Sequence, residues 1–189
     1  LPYEARFDPS PDGIRRSVAD SRKRLGRDAL DILLLHDPDR YAEGDELRAV
    51  IATAYDGLSA LRAEGSVHAI GIGVNGPVAC HMALDIGQWD CFLLAGTYSV
   101  LRQDDDGLLA RCRAAGTSIF IGGPYMSGAL AGGSTWRYGA IPAEVSADIA
   151  RLVPTDYQRD DLSHLRGKAV IHLGCHIESR DAYRRLMAA

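Results

Sequence analysis

The sequence predicts an α/β fold built on a parallel β-sheet. Short, continuous apolar segments alternate along the chain with longer segments whose apolar residues recur at helical spacing. A continuous apolar run is typical of a parallel strand that is covered on both faces. Since each strand is followed by a helix, successive strands are expected to run parallel and to be joined by right-handed crossovers.

The first predicted helix begins near residue 10 and ends near residue 26. Ser10 or Asp12 can cap its start, Pro11 is tolerated in its first turn, and Gly26 suits its end. Its apolar residues at helical spacing are Ile14, Val18 and Leu25. The apolar run at residues 31–36 follows, and it predicts a strand that is buried on both faces.

The same alternation continues to residue 123. Further helices are predicted at residues 45–64, 77–86 and 108–115, and further strands at residues 69–75, 91–95 and 117–123. The later part of the chain gives a glycine-rich loop at 129–139, a helix at 142–152, a last strand at 169–174 and a last helix at 179–188. No linker divides the chain, so residues 1–189 are expected to form a single domain.

Five strands with a similar number of helices fit two architectures. One is a doubly wound open sheet, and the other is part of a (β/α)8 barrel. A complete barrel needs about 250 residues. The chain has 189 residues, so it falls short of a barrel by roughly three strand–helix units.

Composition narrows the functional class. Apolar residues make up 47% of the chain and charged residues 24%, as in an ordinary globular protein. The formal charge of −4 argues against a broad nucleic-acid-binding face, and no apolar run is long enough for a membrane span. The 4 cysteines are widely spaced, which predicts free thiols in a reducing, cytoplasmic environment and neither a disulfide framework nor a metal site.

Polar residues and glycines follow the predicted strands at their carboxyl ends. In parallel α/β folds these ends carry the functional residues. The positions concerned are His36, Asn75, Thr97, Tyr98, Gly122, Gly123 and Gly174. This pattern predicts a site for a small-molecule ligand at one edge of the sheet.

Several of these segments resemble the aldo-keto reductase family. Residues 12–26 and 30–39 resemble its third helix and fourth strand, residues 65–75 its fifth strand, and residues 93–98 and 121–128 its sixth and seventh strands. The variants present are typical of the sugar-dehydrogenase branch of the family, which includes L-fucose and D-threo-aldose dehydrogenases. The resemblance extends over about residues 5–130.

The resemblance implies a (β/α)8 TIM barrel of aldo-keto reductase type, of which strands four to eight are present. It also implies NADP or NAD as the cofactor, bound without a Rossmann domain, and a sugar or small carbonyl or alcohol substrate. In this family a Tyr, a Lys, an Asp and a His act together. The Tyr delivers a proton to the carbonyl oxygen, the nearby Lys lowers the pKa of that Tyr, and the His orients or polarises the carbonyl.

Of the four catalytic residues, the resemblance carries over only the His, onto His36. The chain has two lysines, Lys23 on the first helix and Lys168 before the last strand, and neither ends a strand. Because Leu1 is not a start residue and five barrel strands leave two unpaired edges, we expect further strands upstream. A chain of 189 residues alone is expected to aggregate or dimerise. The alternative is a catalytically inactive protein on the same scaffold that binds the cofactor or a partner protein.

The resemblance also implies a set of cofactor-binding residues. Asn75 would hold the nicotinamide carboxamide, the glycine loop would cover the pyrophosphate, and the last strand would contact the adenosine phosphate. The loop and last-strand residues are Gly122, Gly123, Pro124, Tyr125, Ser127, Gly128, Gly174 and His176. Val74, Ala95 and Gly122 stand where the wider family has Ser, Gln and Tyr. Ala95 loses the amide contact of the Gln, and stacking on the nicotinamide must come from elsewhere than Gly122 or be absent.

Each of these residues also has a structural interpretation. His36 can be a buried strand-end histidine bonded to the backbone, and Asn75 can start a turn before Gly76. Tyr98 matches a family tyrosine but can equally pack beneath the barrel mouth. The glycine loop can be a simple Gly-Pro turn. His172 and His176 are four residues apart with Cys175 between them, but on a strand end this spacing does not predict a metal site.

Overall fold

A computed structural model describes residues 6–101, 106–137 and 139–152. The helices are α1 (Pro11–Leu25), α2 (Gly44–Ala63), α3 (Val78–Ile86), α4 (Leu108–Ala115) and α5 (Ala143–Leu152). The strands are β1 (Leu30–His36), β2 (Val67–Val74), β3 (Cys91–Ala95), β4 (Ser118–Gly122), β5 (Thr135–Trp136) and β6 (Gly139–Ala140). Two 3-10 turns lie at Pro38–Arg40 and Ala129–Ala131. The predicted strand at 169–174 and helix at 179–188 lie outside the described residues.

The chain divides into two compact units. The first unit comprises residues 1–95 and 105–120, and the second comprises residues 96–104 and 121–189. The first unit contains α1 to α4 and most of the main sheet. The second contains the glycine loop, the small β5–β6 hairpin and α5.

The main sheet has the strand order β1-β2-β3-β4, which follows the chain without a reversal. β1 pairs with β2 in parallel, and β2 pairs with β3 in parallel. The helices also follow one another, since α1 packs on α2, α2 on α3 and α3 on α4. A doubly wound sheet reverses its strand order and carries helices on both faces. The unbroken order with one layer of successive helices is the arrangement found in a barrel.

Helix α1 has the capping residues that the sequence predicts. Ser10 is the N-cap, and its Oγ accepts a hydrogen bond from the Gly13 amide at 3.1 Å. Gly26 ends the helix in the left-handed conformation, with φ 64°. Ile14 and Val18 are buried, whereas Leu25 is 64% exposed. Leu25 shares the helical spacing of Ile14 and Val18 but does not join the core, because the last turn of α1 is not covered.

The core of the first unit lies between the helix layer and one face of the sheet. α2 contributes an apolar stripe at helical spacing, and β2 contributes Val67, Ile70, Ile72 and Val74. The fully buried members from these two elements include Ile51, Ala54, Leu58, Ile70 and Ile72. This packing fixes which face of each strand is turned toward the helices.

Strand β1 is covered on one face only. Leu35 is buried against the core, but Ile32 is 46% exposed, and Asp31 and His36 are also exposed. The prediction that residues 31–36 form a strand buried on both faces is therefore wrong. β1 stands at one end of the four-stranded sheet, and its second face has no helix layer among the described residues.

The second unit has its own small apolar cluster. Met126, Ala129, Leu130 and Trp136 are buried together. The segment predicted as a loop at 129–139 instead contains a 3-10 turn and one strand of the antiparallel β5–β6 hairpin, in which Trp136 pairs with Gly139. Each strand of the hairpin has only two residues, which is too short to produce an alternating apolar pattern in the sequence. The helix predicted at 142–152 is confirmed.

None of the helices in the described parts of the chain is long and apolar enough to cross a membrane.

Candidate functional site

His36 is the last residue of β1, at the carboxyl edge of the sheet. It pairs in register with Gly73 of β2. A Cβ atom at Gly73 would lie 3.8 Å from Cδ2 of His36, so the two residues share one face of the sheet. The His36 side chain is 80% exposed. The structural interpretation of His36 as a buried histidine is therefore wrong, and its imidazole is open to a ligand.

Asp37 follows His36 and is buried, with 5% of its surface exposed. Its backbone is left-handed at φ 44° and ψ 51°, which a short polar side chain tolerates. Its amide donates to the Gly73 carbonyl oxygen at 2.7 Å, and its carbonyl oxygen accepts from the Arg40 amide at 3.1 Å. These two bonds hold the turn between β1 and the following 3-10 turn against the end of β2.

The carboxylate of Asp37 joins the ends of the two strands. Its Oδ1 accepts a hydrogen bond from Nδ2 of Asn75 at 3.3 Å. Its Oδ2 lies 3.7 Å from Nε2 of His36 and 3.7 Å from a guanidinium nitrogen of Arg40. The structure thus brings together His36 and Asn75, which the sequence predicts as site residues, through Asp37, which the strand-end pattern does not mark.

A second acid, Asp39, lies in the same turn. Burial raises the pKa of the Asp39 carboxyl above its ordinary value, and the neighbouring charge of Asp37 raises it further. Apart from Asp39, the ends of β1 and β2 present the His36 imidazole, the Asn75 amide and the Asp37 carboxylate. Together these three groups can donate hydrogen bonds to a polar small molecule and accept them from it.

The glycine loop belongs to the second unit. Gly123, Met126, Ser127 and Gly128 all have left-handed backbones, with φ of 60°, 50°, 60° and 95°. The Met126 amide donates to the Gly123 carbonyl oxygen at 2.9 Å. The hydroxyl of Thr135, on the hairpin, donates to the Ser127 carbonyl oxygen at 2.5 Å. Hydrogen bonds within the loop and to the hairpin therefore hold the loop in a defined turn. Its glycines have no side chain, so a ligand can approach the backbone closely.

Arg137 adds a cation to this unit. The amide of Gly96, which follows β3, donates to the Gly122 carbonyl oxygen at 3.2 Å. A Cβ atom at Gly96 would lie 3.3 Å from Nε of Arg137, so the absence of a side chain there leaves room for the guanidinium. An arginine beside a glycine backbone suits an anionic ligand. No local pattern marks Arg137 as a site residue, because it is separated along the chain from Gly96 and Gly122.

Three further predicted site residues, Pro124, Tyr125 and Tyr98, are only partly exposed. Pro124 and Tyr125 lie in the same half-buried turn as Gly123, and Tyr98 is also half-buried. Gly174 and His176 lie outside the described residues. Within the residues that the structure covers, no three His, Cys, Asp or Glu side chains are grouped so that they could hold a metal ion.

Comparison with known proteins identifies the family. The aldo/keto reductase family model matches residues 1–167, and the chain belongs to that family. It is 36% identical over 152 residues to a D-threo-aldose 1-dehydrogenase from a Pseudomonas species. The aligned region covers 77% of this chain and 45% of the relative. It is 36% identical over 162 residues to a pyridoxal 4-dehydrogenase from Microbacterium luteolum, covering 80% of this chain and 47% of the relative.

The chain therefore spans less than half the length of these two relatives. A solved structure supports the fold. The holo form of an aldo-keto reductase from Bacillus halodurans is similar with a TM-score of 0.56 and 24% identity, covering 66% of this chain and 40% of that one. The fold is thus that of the aldo-keto reductase TIM barrel, of which the chain covers about five strand–helix units.

Proposed function

We propose that the protein is an NAD(P)-dependent oxidoreductase that transfers a hydride between nicotinamide and a sugar or another small carbonyl or alcohol. Family membership supports this reaction class. The observation that carries it is the grouping of exposed His36 with Asp37 and Asn75 at the carboxyl edge of the sheet. This is the edge on which barrel enzymes place their reacting groups.

Each unit, taken by itself, offers groups that suit one part of a nicotinamide dinucleotide. When bound, the cofactor supplies the hydride. Asn75 offers an amide, whose donor and acceptor match a carboxamide. Gly123 and Gly128 offer a backbone that a pyrophosphate can approach, and Ser127 offers a hydroxyl for it. Arg137 supplies a positive charge in the same unit. For Gly174 and His176 the proposed contact with the adenosine phosphate rests on the family resemblance.

His36 is proposed to act on the substrate. Its exposed imidazole can donate or accept a hydrogen bond at the substrate oxygen and so hold the carbonyl in a reactive orientation. The buried carboxylate of Asp37 lies 3.7 Å from Nε2 and restrains the ring from one side. His36 is therefore assigned orientation of the substrate and not binding of the cofactor.

The experiment that tests this function measures cofactor affinity and turnover separately. Purified protein is titrated with NADH and NADPH, and then assayed by absorbance with a panel of aldoses and small aldehydes. His36→Gln should leave the cofactor Kd unchanged and lower turnover by about 100-fold, the usual contribution of a positioned acid–base group. Full turnover by His36→Gln on every substrate would remove the proposed role of His36.

The second candidate is a protein of the same fold that binds the cofactor or a partner without reacting. The position of Lys23 favours this candidate. Lys23 lies in the last turn of α1 and not at the carboxyl end of a strand, so it does not supply the catalytic lysine of the family. A saturable complex with NADPH and no absorbance change with any substrate would support this candidate over the oxidoreductase.

We also propose that the protein is cytoplasmic and that the 189-residue chain self-associates. Cys80, Cys91 and Cys112 are free thiols, as in a reducing compartment. Ile32 and Phe120 are 46% and 39% exposed on the sheet, and apolar strands of this kind tend to pair with other chains. Light scattering tests the second point, since a monodisperse monomer would contradict self-association.

A further inference from the structure

We propose that Asp37 is a positioning residue that fixes the orientation of the Asn75 side-chain amide for recognition of a nicotinamide carboxamide. The inference rests on the proposed function, which assigns Asn75 to the cofactor. It concerns an acid that neither the family resemblance nor the sequence pattern assigns to the site.

Asp37 is held rigidly. It is 5% exposed, and its backbone is bonded to Gly73 of β2 on one side and to Arg40 on the other. Its left-handed φ of 44° costs free energy in a residue other than glycine. A conformation of this kind persists only where the surrounding bonds determine it. The carboxylate therefore stands at a fixed place between the ends of β1 and β2.

The two carboxylate oxygens have different partners. Oδ2 lies 3.7 Å from Nε2 of His36 and 3.7 Å from a guanidinium nitrogen of Arg40. Oδ1 lies 3.3 Å from Nδ2 of Asn75. Rotation of the carboxylate would exchange these partners, so the Arg40 cation on the Oδ2 side helps to keep Oδ1 directed at Asn75.

An ionised carboxylate accepts hydrogen bonds and cannot donate one. An asparagine amide can turn by 180°, which exchanges its donor nitrogen and its acceptor oxygen. Next to Asp37, only the orientation with Nδ2 toward the carboxylate is favourable, and the oxygen of Asn75 is then directed away from Asp37. A nicotinamide carboxamide also has distinct donor and acceptor ends, so a fixed Asn75 amide selects one orientation of the nicotinamide ring.

The test uses Asp37→Asn, which keeps the size of the side chain and tolerates the left-handed backbone. An asparagine at this position can present either oxygen or nitrogen, so it no longer fixes Asn75. Asp39→Asn is the matched control, because it removes the same charge from the same turn. The probes are NADH, NADPH and ADP-ribose, which lacks the nicotinamide. We expect Asp37→Asn to weaken NADH and NADPH by about 10-fold and to leave ADP-ribose unchanged.

The result is checked by a double-mutant cycle and by a spectroscopic readout. Asn75→Ala should weaken NADH and NADPH, and adding Asp37→Asn to it should weaken them little further, because both changes remove the same interaction. In nitrogen-15 NMR spectra, the Asn75 side-chain amide signals should move strongly in Asp37→Asn and little in Asp39→Asn. This second readout needs no cofactor.

The outcomes separate the inference from the function on which it rests. If Asn75→Ala weakens NADH and NADPH but Asp37→Asn does not, the positioning role is wrong while the function stands. If Asp37→Asn weakens ADP-ribose as much as NADH, Asp37 supports the fold in general and the inference is also wrong. If the wild-type protein binds none of the probes, the proposed function fails, and the positioning role fails with it.

Discussion

Gly71 of β2 lies directly against the backbone carbonyl of Cys91 on β3. The two residues are partners in the register of the parallel sheet, and a Cβ atom at Gly71 would overlap the Cys91 carbonyl oxygen. The same Cβ would lie 2.8 Å from Cδ2 of Leu34 on β1. A glycine at this position therefore sets how closely the three strands pack beneath the carboxyl edge that carries His36.

We predict that Gly71→Ala lowers the free energy of unfolding by about 3 kcal/mol, because the backbone of β3 has to move to admit the methyl group. The matched control is Gly73→Ala, two residues along the same strand, where the nearest atoms lie at 3.7 Å or more. That substitution should change stability by less than about 1 kcal/mol. Urea unfolding of both variants measures the difference, and equal losses would contradict the packing described here.

The glycine loop allows a similar comparison between a site glycine and a structural one. Gly123 has φ 60° and Gly26, at the end of α1, has φ 64°, and neither has an atom within 4 Å of an added Cβ. Alanine at either position should cost about 1 kcal/mol of stability through the left-handed backbone alone. Only Gly123→Ala should weaken NADPH binding. If Gly26→Ala weakened NADPH binding as much as Gly123→Ala, the proposed contact between the glycine loop and the cofactor would be contradicted.

Glu64 and Arg15 predict a pH-dependent part of the stability. The two side chains form a paired contact, with nitrogen–oxygen distances of 2.9 and 2.5 Å, and both are about half exposed. The hydrogen bonds from Arg15 lower the pKa of Glu64 below its ordinary value of 4.5. A lowered carboxyl pKa stabilises the folded state above the ordinary value, and this contribution is lost as pH falls through the folded pKa.

Glu64→Gln should therefore lower the urea midpoint slightly at pH 7, and the difference from wild type should disappear in acid. High salt should also reduce it, because the pair is exposed to solvent. The control is Arg15→Met, which should reproduce the effect without adding to it in the double variant. A difference that persists unchanged in acid would show that Glu64 acts through something other than its charge.

The buried thiols predict slow chemical modification. Burial raises the pKa of Cys80 to about 12, and it also raises the pKa values of Cys91 and Cys112. Because the thiolate is the reactive form, none of the three should be alkylated in the folded protein at pH 8. All three should react once the protein is unfolded in urea. Peptide mapping after iodoacetamide treatment gives the result, and rapid labelling of Cys80 in the folded protein would contradict its burial.

The sequence predicts the helices and strands of the first unit well because their signals are local. The structure confirms the N-cap at Ser10, the C-cap at Gly26 and the apolar residues of α2. Each of these signals acts within a few residues of the chain. The local patterns alone leave a doubly wound sheet and a barrel open, because strand order depends on contacts between distant segments. The family resemblance implies the barrel, and the observed strand order agrees with it. The exposure of Ile32 was also beyond local signals, since an apolar run does not show which face is covered.

The sequence predicts those residues of the candidate site that have a local signal, and it does not predict those that depend on contacts between distant segments. His36 and Asn75 follow apolar strands directly, so the strand-end rule finds them. Asp37 was missed because its role depends on a left-handed turn and on a bond to Asn75, which is 38 residues away in the chain. Arg137 was missed because only the folded hairpin brings it to Gly96.

The central claim is that this chain binds a nicotinamide dinucleotide through the residues described. Equilibrium titration of the purified protein with NADPH and NADH, followed by fluorescence of the reduced nicotinamide, tests it most directly. We predict saturable binding that ADP-ribose displaces and that Asn75→Ala weakens. Absence of saturable binding to either cofactor, in protein shown to be folded by its cooperative urea unfolding, would contradict the claim.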